Sequence, residues 1–240
     1  MNWLNGKLLA FDLESTGKNP RTARIVSAAA IMMDGTTGET LPAEWLSDVD
    51  GEEIPAEAIG IHGITTEHAR EHGQPLHQVV EQVTQTIREA WKLGIPVVGH
   101  NVGYDLSLME FENLRFWPQG EGLGSLGPVL DTFVIDGHVS YRKGKRTLTT
   151  TAAHYGVALS EEDAHGATAD AFASAKILWQ IAKKYPTIMA RTLPELFDDQ
   201  ISWYRDRAES LAKHFDSKGI AHDVCPDWPI RTDTIVGVPA

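Results

Sequence analysis

Residues 8–17 read L-L-A-F-D-L-E-S-T-G, an apolar strand interrupted by two carboxylates two positions apart. Side chains at i and i+2 of a strand share a face, so Asp12 and Glu14 point the same way and repel unless something positive lies between them. A fold for this chain has to bury that strand and still bring a cationic partner to one of its faces.

The surrounding pattern supplies an architecture. Lys7 to Glu14 and Arg24 to Asp34 read as strands separated by the turn Thr16-Gly17-Lys18-Asn19-Pro20, and Glu39 to Trp45 reads as a third, completing a meander. Leu76, Val79, Val80, Val83, Ile87 and Trp91 fall at helical spacing from Pro75 to Leu93, and Gly94 closes that helix. A short buried strand from Ile95 runs into a helix from about Tyr104 to Arg115. Val129 to Ile135 reads as another strand and Thr147 to Tyr155 as a helix. A long helix from Ala167 to Lys184 is stopped by Tyr185-Pro186, and Leu193 to Lys218 reads as one or two amphipathic helices. The order is mixed α/β, with a soft boundary that divides residues 1–187 from a C-terminal helical extension, 188–240.

Composition excludes several classes. The 240 residues, 42% of them hydrophobic, suffice for a sizeable core, and a single cysteine, Cys225, leaves no disulfide framework. No apolar run approaches the ~20 residues of a membrane span, and the first residues do not read as a signal peptide. The expectation is a cytoplasmic protein with no membrane partner. The net charge of -12 argues against broad, sequence-independent adhesion to nucleic acid, but not against a local site whose phosphates are met by metal ions.

Three further groups fit beside the acidic pair. Asp105, in V-V-G-H-N-V-G-Y-D, sits in the first turn after a strand, where a carboxylate is favoured by the helix N-terminus and where α/β sheets commonly build their sites. In H-G-A-T-A-D, Asp170 falls one turn into a helix while His165 stays on the loop ahead of it. Four converging carboxylates without interleaved lysine or arginine would be prohibitively repulsive, and hard divalent cations with oxygen ligands remove that cost, Mg²⁺ or Mn²⁺ fitting best. Two such ions would clamp the attacking water and the leaving oxygen of a phosphoryl displacement, with a neutral histidine to take the proton. Each motif is weak alone, and their joint order and spacing carry the reading.

Those motifs, with I-H-G-I-T at 61–65 and D-T at 131–132, make residues 6 to 183 similar to the DnaQ-like 3'-5' exonucleases of the DEDDh type, which include the proofreading epsilon subunit of bacterial DNA polymerase III and ribonuclease T. The resemblance implies an RNase H-like mixed sheet flanked by helices. It implies Asp12, Glu14, Asp105 and Asp170 as ligands of two divalent cations and His165 as general base. It also implies Ser15, Thr16, His62, Ile64, His100 and Tyr104 as substrate-binding residues around a single-stranded or frayed 3' end. Ser15 stands where threonine is usual, and Gly166 and Thr168 where bulkier residues are often seen. A DNA exonuclease of proofreading or repair type is the leading reading, with a polymerase or repair complex as partner. An RNA-trimming enzyme on the same fold and a catalytically idle docking module stay open as rivals.

Outside these motifs, the basic run Tyr141 to Arg146 reads either as a contact to upstream phosphates or as a solvated loop tip. Trp203, Tyr204, Leu211, Phe215 and the segment Asp227-Trp228-Pro229-Ile230 are expected to pack on the core or on a second copy, which leaves a homodimer open.

Overall fold

The computed structural model describes residues 3–159 and 166–231. The chain runs through β1 (Lys7–Ser15), β2 (Ile25–Asp34), β3 (Thr40–Leu46), α1 (Ala56–His62), α2 (Thr66–His72), α3 (Leu76–Lys92), β4 (Val97–Gly99), α4 (Val102–Phe116), β5 (Val129–Asp131), α5 (Thr132–Val139), α6 (Leu148–Tyr155), α7 (Ala167–Lys184), α8 (Pro186–Met189) and α9 (Leu193–Ser217). The strands form one sheet in the order β3-β2-β1-β4-β5. The first three make the antiparallel meander, and β4 and β5 add in parallel to β1. This is the RNase H-like mixed sheet flanked by helices that the sequence implies.

Alternation along β1 divides the core between two faces. Leu9, Phe11 and Leu13 turn to the face covered by α3 and α4, where they join Val80, Val83, Ile87, Leu106 and Met109. Leu8 and Ala10 turn the other way, under α7. Residues 167, 171 and 175 of α7 are alanines packed with Ala10 and Ala29, and small side chains let a helix lie close to its neighbour. Asp12 and Glu14 continue the Leu8–Ala10 row and emerge beneath the first turn of α7, which carries Asp170.

On its other edge β1 outruns its partner. Pairing with β4 covers Leu9 and Ala10, and β4 ends at Gly99. A Cβ on Gly99 would lie 2.9 Å from the Phe11 carbonyl and 2.6 Å from the Val102 Cβ, so glycine alone permits the close turn that starts α4 beside the end of β1.

The structure corrects or narrows the sequence reading in four places. The expected strand Val129 to Ile135 stops at Asp131, whose carboxylate accepts the Phe133 amide at 2.9 Å and caps α5. A short apolar run fits strand and helix alike by period, and the cap decides. The seven-residue helices α1 and α2 were not expected; left-handed Gly63 ends the first, and the Thr65 side chain caps the second. Residues 193–217 form one helix, opened by a reciprocal cap between Thr192 and Glu195. In the basic run, Arg142 and Arg146 turn inward to the fully buried Asp136, which also accepts the Tyr155 hydroxyl at 2.7 Å, leaving Lys143 and Lys145 exposed.

The C-terminal residues lie against the sheet. Gln200 of α9 accepts the Asp131 amide at 2.7 Å and donates to the Val129 carbonyl at 2.9 Å, so one buried side chain covers the open edge of β5 as a further strand would. Trp228 is buried in the α3–α4 side of the core, and the Arg231 amide donates to Ser107 on α4 at 3.0 Å. No helix among the described residues is long and apolar enough to cross a membrane.

Candidate active site

Asp12 and Glu14 from β1 and Asp170 from α7 each present a carboxylate oxygen, and the three oxygens lie within 4.8 Å of one another. Glu14 and Asp170 are buried, and Asp12 is partly so. Burial, with the Asp170 charge added, pushes the Glu14 carboxyl up to about 8. Burial and then the charges of Asp105, Asp170 and Glu14 hold Asp12 well above the usual carboxylate range. Without a cation Glu14 keeps its proton at neutral pH, and Asp12 is pushed toward its protonated form.

Asp105 stands just outside that three-oxygen cluster. Its Oδ1 accepts the Leu13 amide at 3.1 Å, a donor on the stretch of β1 that β4 no longer covers. Burial raises its pKa too, against the lowering effect of its backbone bonds. His165 lies outside the described residues.

A cavity of about 520 Å³ opens beside Glu14. Ser15, Thr16, His62 and Tyr104 line it, as do Lys18, Glu57, Ile61 and Asn101, which sequence reasoning did not single out. Ser15 and Tyr104 both reach the Gly17 carbonyl, and burial pushes the phenol up to about 12, so it stays protonated as a donor. Thr16 exchanges bonds with Arg24, accepting its amide at 2.8 Å and donating its own amide to the Arg24 carbonyl. Across the mouth Lys18 meets Glu57 at 2.5 Å, both side chains largely exposed.

Two expected substrate residues do not line this cavity. Ile64 packs against the Val26, Val49, Ile54 and Ala58 cluster, and Ile61 on the preceding turn supplies the apolar wall instead. His100 has both ring nitrogens engaged: Nε2 donates to the Arg146 carbonyl at 2.8 Å and Nδ1 lies 2.8 Å from the Thr132 hydroxyl. Burial lowers its pKa, so this neutral ring acts as a clamp between loops.

The residue most underrated by sequence is Asp131. Its Oδ1 accepts the amides of Asn101 at 2.8 Å and Phe133 at 2.9 Å, and its Oδ2 accepts the Trp228 indole at 3.4 Å. Asn101 sits in the left-handed region at φ 64° immediately before α4, and the Asp131 bond fixes that turn. The wall of the cavity and the placement of Asp105 in the first turn of α4 both depend on it. The D-T motif was the only signal of it in the sequence.

An acidic cluster at the end of a mixed sheet beside a nucleotide-sized cavity is the arrangement of a metal-using nuclease. Residues 9–178 match the model of the RNase_T exonuclease family, and the chain belongs to that family. A DNA polymerase III subunit epsilon-like protein of Rhodobacter capsulatus is 26% identical over 194 residues, which cover 77% of this chain and 24% of that protein. Among solved structures, E. coli exonuclease I in complex with a dA16 oligonucleotide superposes with a TM-score of 0.60 at 19% identity, over 87% of this chain and 45% of that one. Exonuclease I from Methylocaldum szegediense gives 0.56 at 17% identity, over 77% and 42%. The chain thus spans about a quarter of the first relative and less than half of the second and third; these structural likenesses concern the fold.

Proposed function

We propose that this chain is a metal-dependent 3'-5' exonuclease of the DEDDh type that removes nucleoside monophosphates from the 3' end of DNA, in single-stranded or frayed form. The observation that carries the reading is the Asp12–Glu14–Asp170 cluster, three carboxylate oxygens within 4.8 Å with raised pKa values at Asp12 and Glu14. An all-oxygen, anionic donor set fits hard divalent cations, Mg²⁺ or Mn²⁺, and two of them with Asp105 as the fourth ligand residue. Such ions, when bound, supply charge to the phosphoryl oxygens and make a water more acidic.

The chain's own residues then divide the work. Ile61 and His62 present an apolar and ring-bearing wall to the terminal base, and the Tyr104–Ser15–Gly17 network holds the opposite wall in place. Asn101 offers its side chain at the same rim. His165, five residues before Asp170 in the sequence, takes the proton of the attacking water. Proofreading or repair, with a polymerase or repair complex as partner, is the setting that the epsilon-like relative's name supports. Residues 188–240 are read as an extension that closes the β5 edge of an exonuclease unit at 1–187.

The test is a time course on end-labelled single-stranded DNA, duplex DNA and RNA with Mg²⁺, Mn²⁺ or EDTA. Stepwise shortening from the 3' end of DNA, absent in EDTA and stopped by a blocked 3' terminus, supports the reading. Equal digestion of 3'-blocked strands, or faster digestion of RNA than DNA, overturns it.

A further inference from the structure

A second groove, about 790 Å³, lies between α5, the loop at Tyr141 and α9. Its α9 wall lies outside residues 9–178 that match the family, so the groove is built in part by the C-terminal extension. Arg207 of α9 reaches into it and sits over the Phe133 ring, 4.2 Å from the centroid. The guanidinium has room because residue 137 is glycine: a Cβ there would sit 2.8 Å from Nη1. Among the described residues Arg207 has no ion pair and no hydrogen bond, while Arg146, on the facing loop, is committed to Asp136.

The surroundings favour an anion. Arg146 and Arg207 line the groove beside the single carboxylate Asp206, and the loop that carries Arg146 also carries the exposed Lys143 and Lys145. Burial, and then the neighbouring Arg146 charge, lower the Arg207 pKa, a cost that a bound anion relieves. The groove also offers flat apolar surface. Tyr141 is 98% exposed at its rim, and His138 already lies stacked on Trp203 within it, with centroids 3.8 Å apart and planes 7° from parallel. Phosphate-matching cations interleaved with exposed rings are the elements of a single-strand binding track. The Phe133 ring beneath Arg207 also meets His100 edge-on at 5.8 Å, and His100 precedes Asn101 at the rim of the first cavity.

We propose that this groove binds single-stranded nucleic acid upstream of the 3' end, with a base stacked on Tyr141 and a backbone phosphate on Arg207. The proposal rests on the exonuclease reading for its direction, and it makes the extension the part of the chain that grips longer strands.

Fluorescence anisotropy of the full chain in EDTA, with labelled single strands of about 4 and about 16 nucleotides, tests it across a salt series. Tyr141→Ala should weaken the long strand roughly tenfold and leave the short one unchanged. Arg207→Met keeps a stem over Phe133 but removes the charge, and should lower the slope of log affinity against log salt by about 0.7, the value for one phosphate contact on a single strand. Melting temperatures identify any variant that is merely misfolded, and exposed Tyr141 carries the test if Arg207→Met is one. Wild-type affinity and slope in both variants, or an affinity loss in Arg207→Met with an unchanged slope, overturns the groove. Failure of the wild type to shorten any strand with Mn²⁺ overturns the exonuclease reading instead, and leaves the binding result to judge the groove.

Discussion

The Ser15 hydroxyl lies 2.7 Å from the phenolic oxygen of Tyr104, and both reach the carbonyl of Gly17. β1 and α4 are thereby tied at the rim of the cavity, on residues that the acidic cluster does not use.

Tyr104→Phe should therefore loosen the rim and spare the cluster. Losing one hydrogen bond costs about 1 kcal/mol, which corresponds to a KM for short strands raised roughly fivefold, with Mn²⁺ affinity unchanged. Because Ser15→Ala removes part of the same network, the double variant should fall short of the sum of the two. Steady-state kinetics over the four proteins checks this, and additive losses would mean that the two hydroxyls act apart.

Stability without metal should fall as pH rises. The folded Glu14 carboxyl titrates at about 8 against 4.5 for the ordinary group, and Asp12 and Asp105 shift in the same direction. The folded state then binds more protons than the unfolded one. The stabilisation is complete below the ordinary value, declines from pH 4.5 upward and is gone above 8, with roughly 1.4 kcal/mol per pKa unit as the ceiling. Thermal melts in EDTA should show this decline, and Mn²⁺ should reverse it most strongly at high pH, where the ligands give up protons most readily. A melting temperature in EDTA that climbs steadily between these pH values would contradict the assignment.

His165 and Asp12 should fail differently. Removal of a general base costs about 10²–10⁴-fold in turnover, so His165→Ala should lose activity and keep Mn²⁺ affinity. Asp12→Asn should lose both, and yet melt higher than the wild type in EDTA, because a neutral amide escapes the burial and the Asp105, Asp170 and Glu14 charges that oppose a carboxylate at this position. Each 1 kcal/mol of that relief is worth roughly 2–4 °C in a chain of this size. Calorimetric titration, single-turnover rates and melting curves on the two variants separate the roles; metal binding lost equally in both would make His165 a ligand.

Asp131→Asn keeps the shape of the side chain but brings an amide donor toward either the Trp228 indole or the Asn101 and Phe133 amides. An unpaired buried donor costs about 1–3 kcal/mol, so melting should drop by several degrees, and kcat should fall with it as the Asn101 turn loosens. Hydrogen exchange at the amides of Asn101 and Phe133 should rise together. Protection unchanged at both would remove Asp131 from its place as the anchor of that turn.

What the sequence made legible was what it encodes locally. α7 begins and ends at the expected residues because its apolar spacing lies within the segment and the proline that stops it follows closely. Asp12, Glu14 and Asp170 could be grouped because β1 and the start of α7 each announced their type. Asp131 was quoted as half of a motif and given no task, since its partners come from residues 101 and 228, a span no local pattern covers. The basic run was misjudged in part because Asp136, which draws Arg142 and Arg146 inward, lies on a helix where a strand had been expected to end. That Ile61 lines the cavity while Ile64 packs in the core was not legible, because α1, seven residues long, carries too few turns for a period to show.

The central position of β1 has a kinetic meaning. Flanked by β2 on one side and by β4 on the other, and covered on both faces, it belongs to the part of a protein that opens only when the whole molecule unfolds. Asp12 and Glu14 are thus expected to ride on slowly exchanging amides, while Asp105 and Asp170 ride on the first turns of two helices, where a helix opens more readily than at its middle. Under the exonuclease activity proposed above, such a half-fixed, half-yielding carboxylate set would release its product by relaxing the helix side alone, without disturbing the pair on which the next strand end is seated.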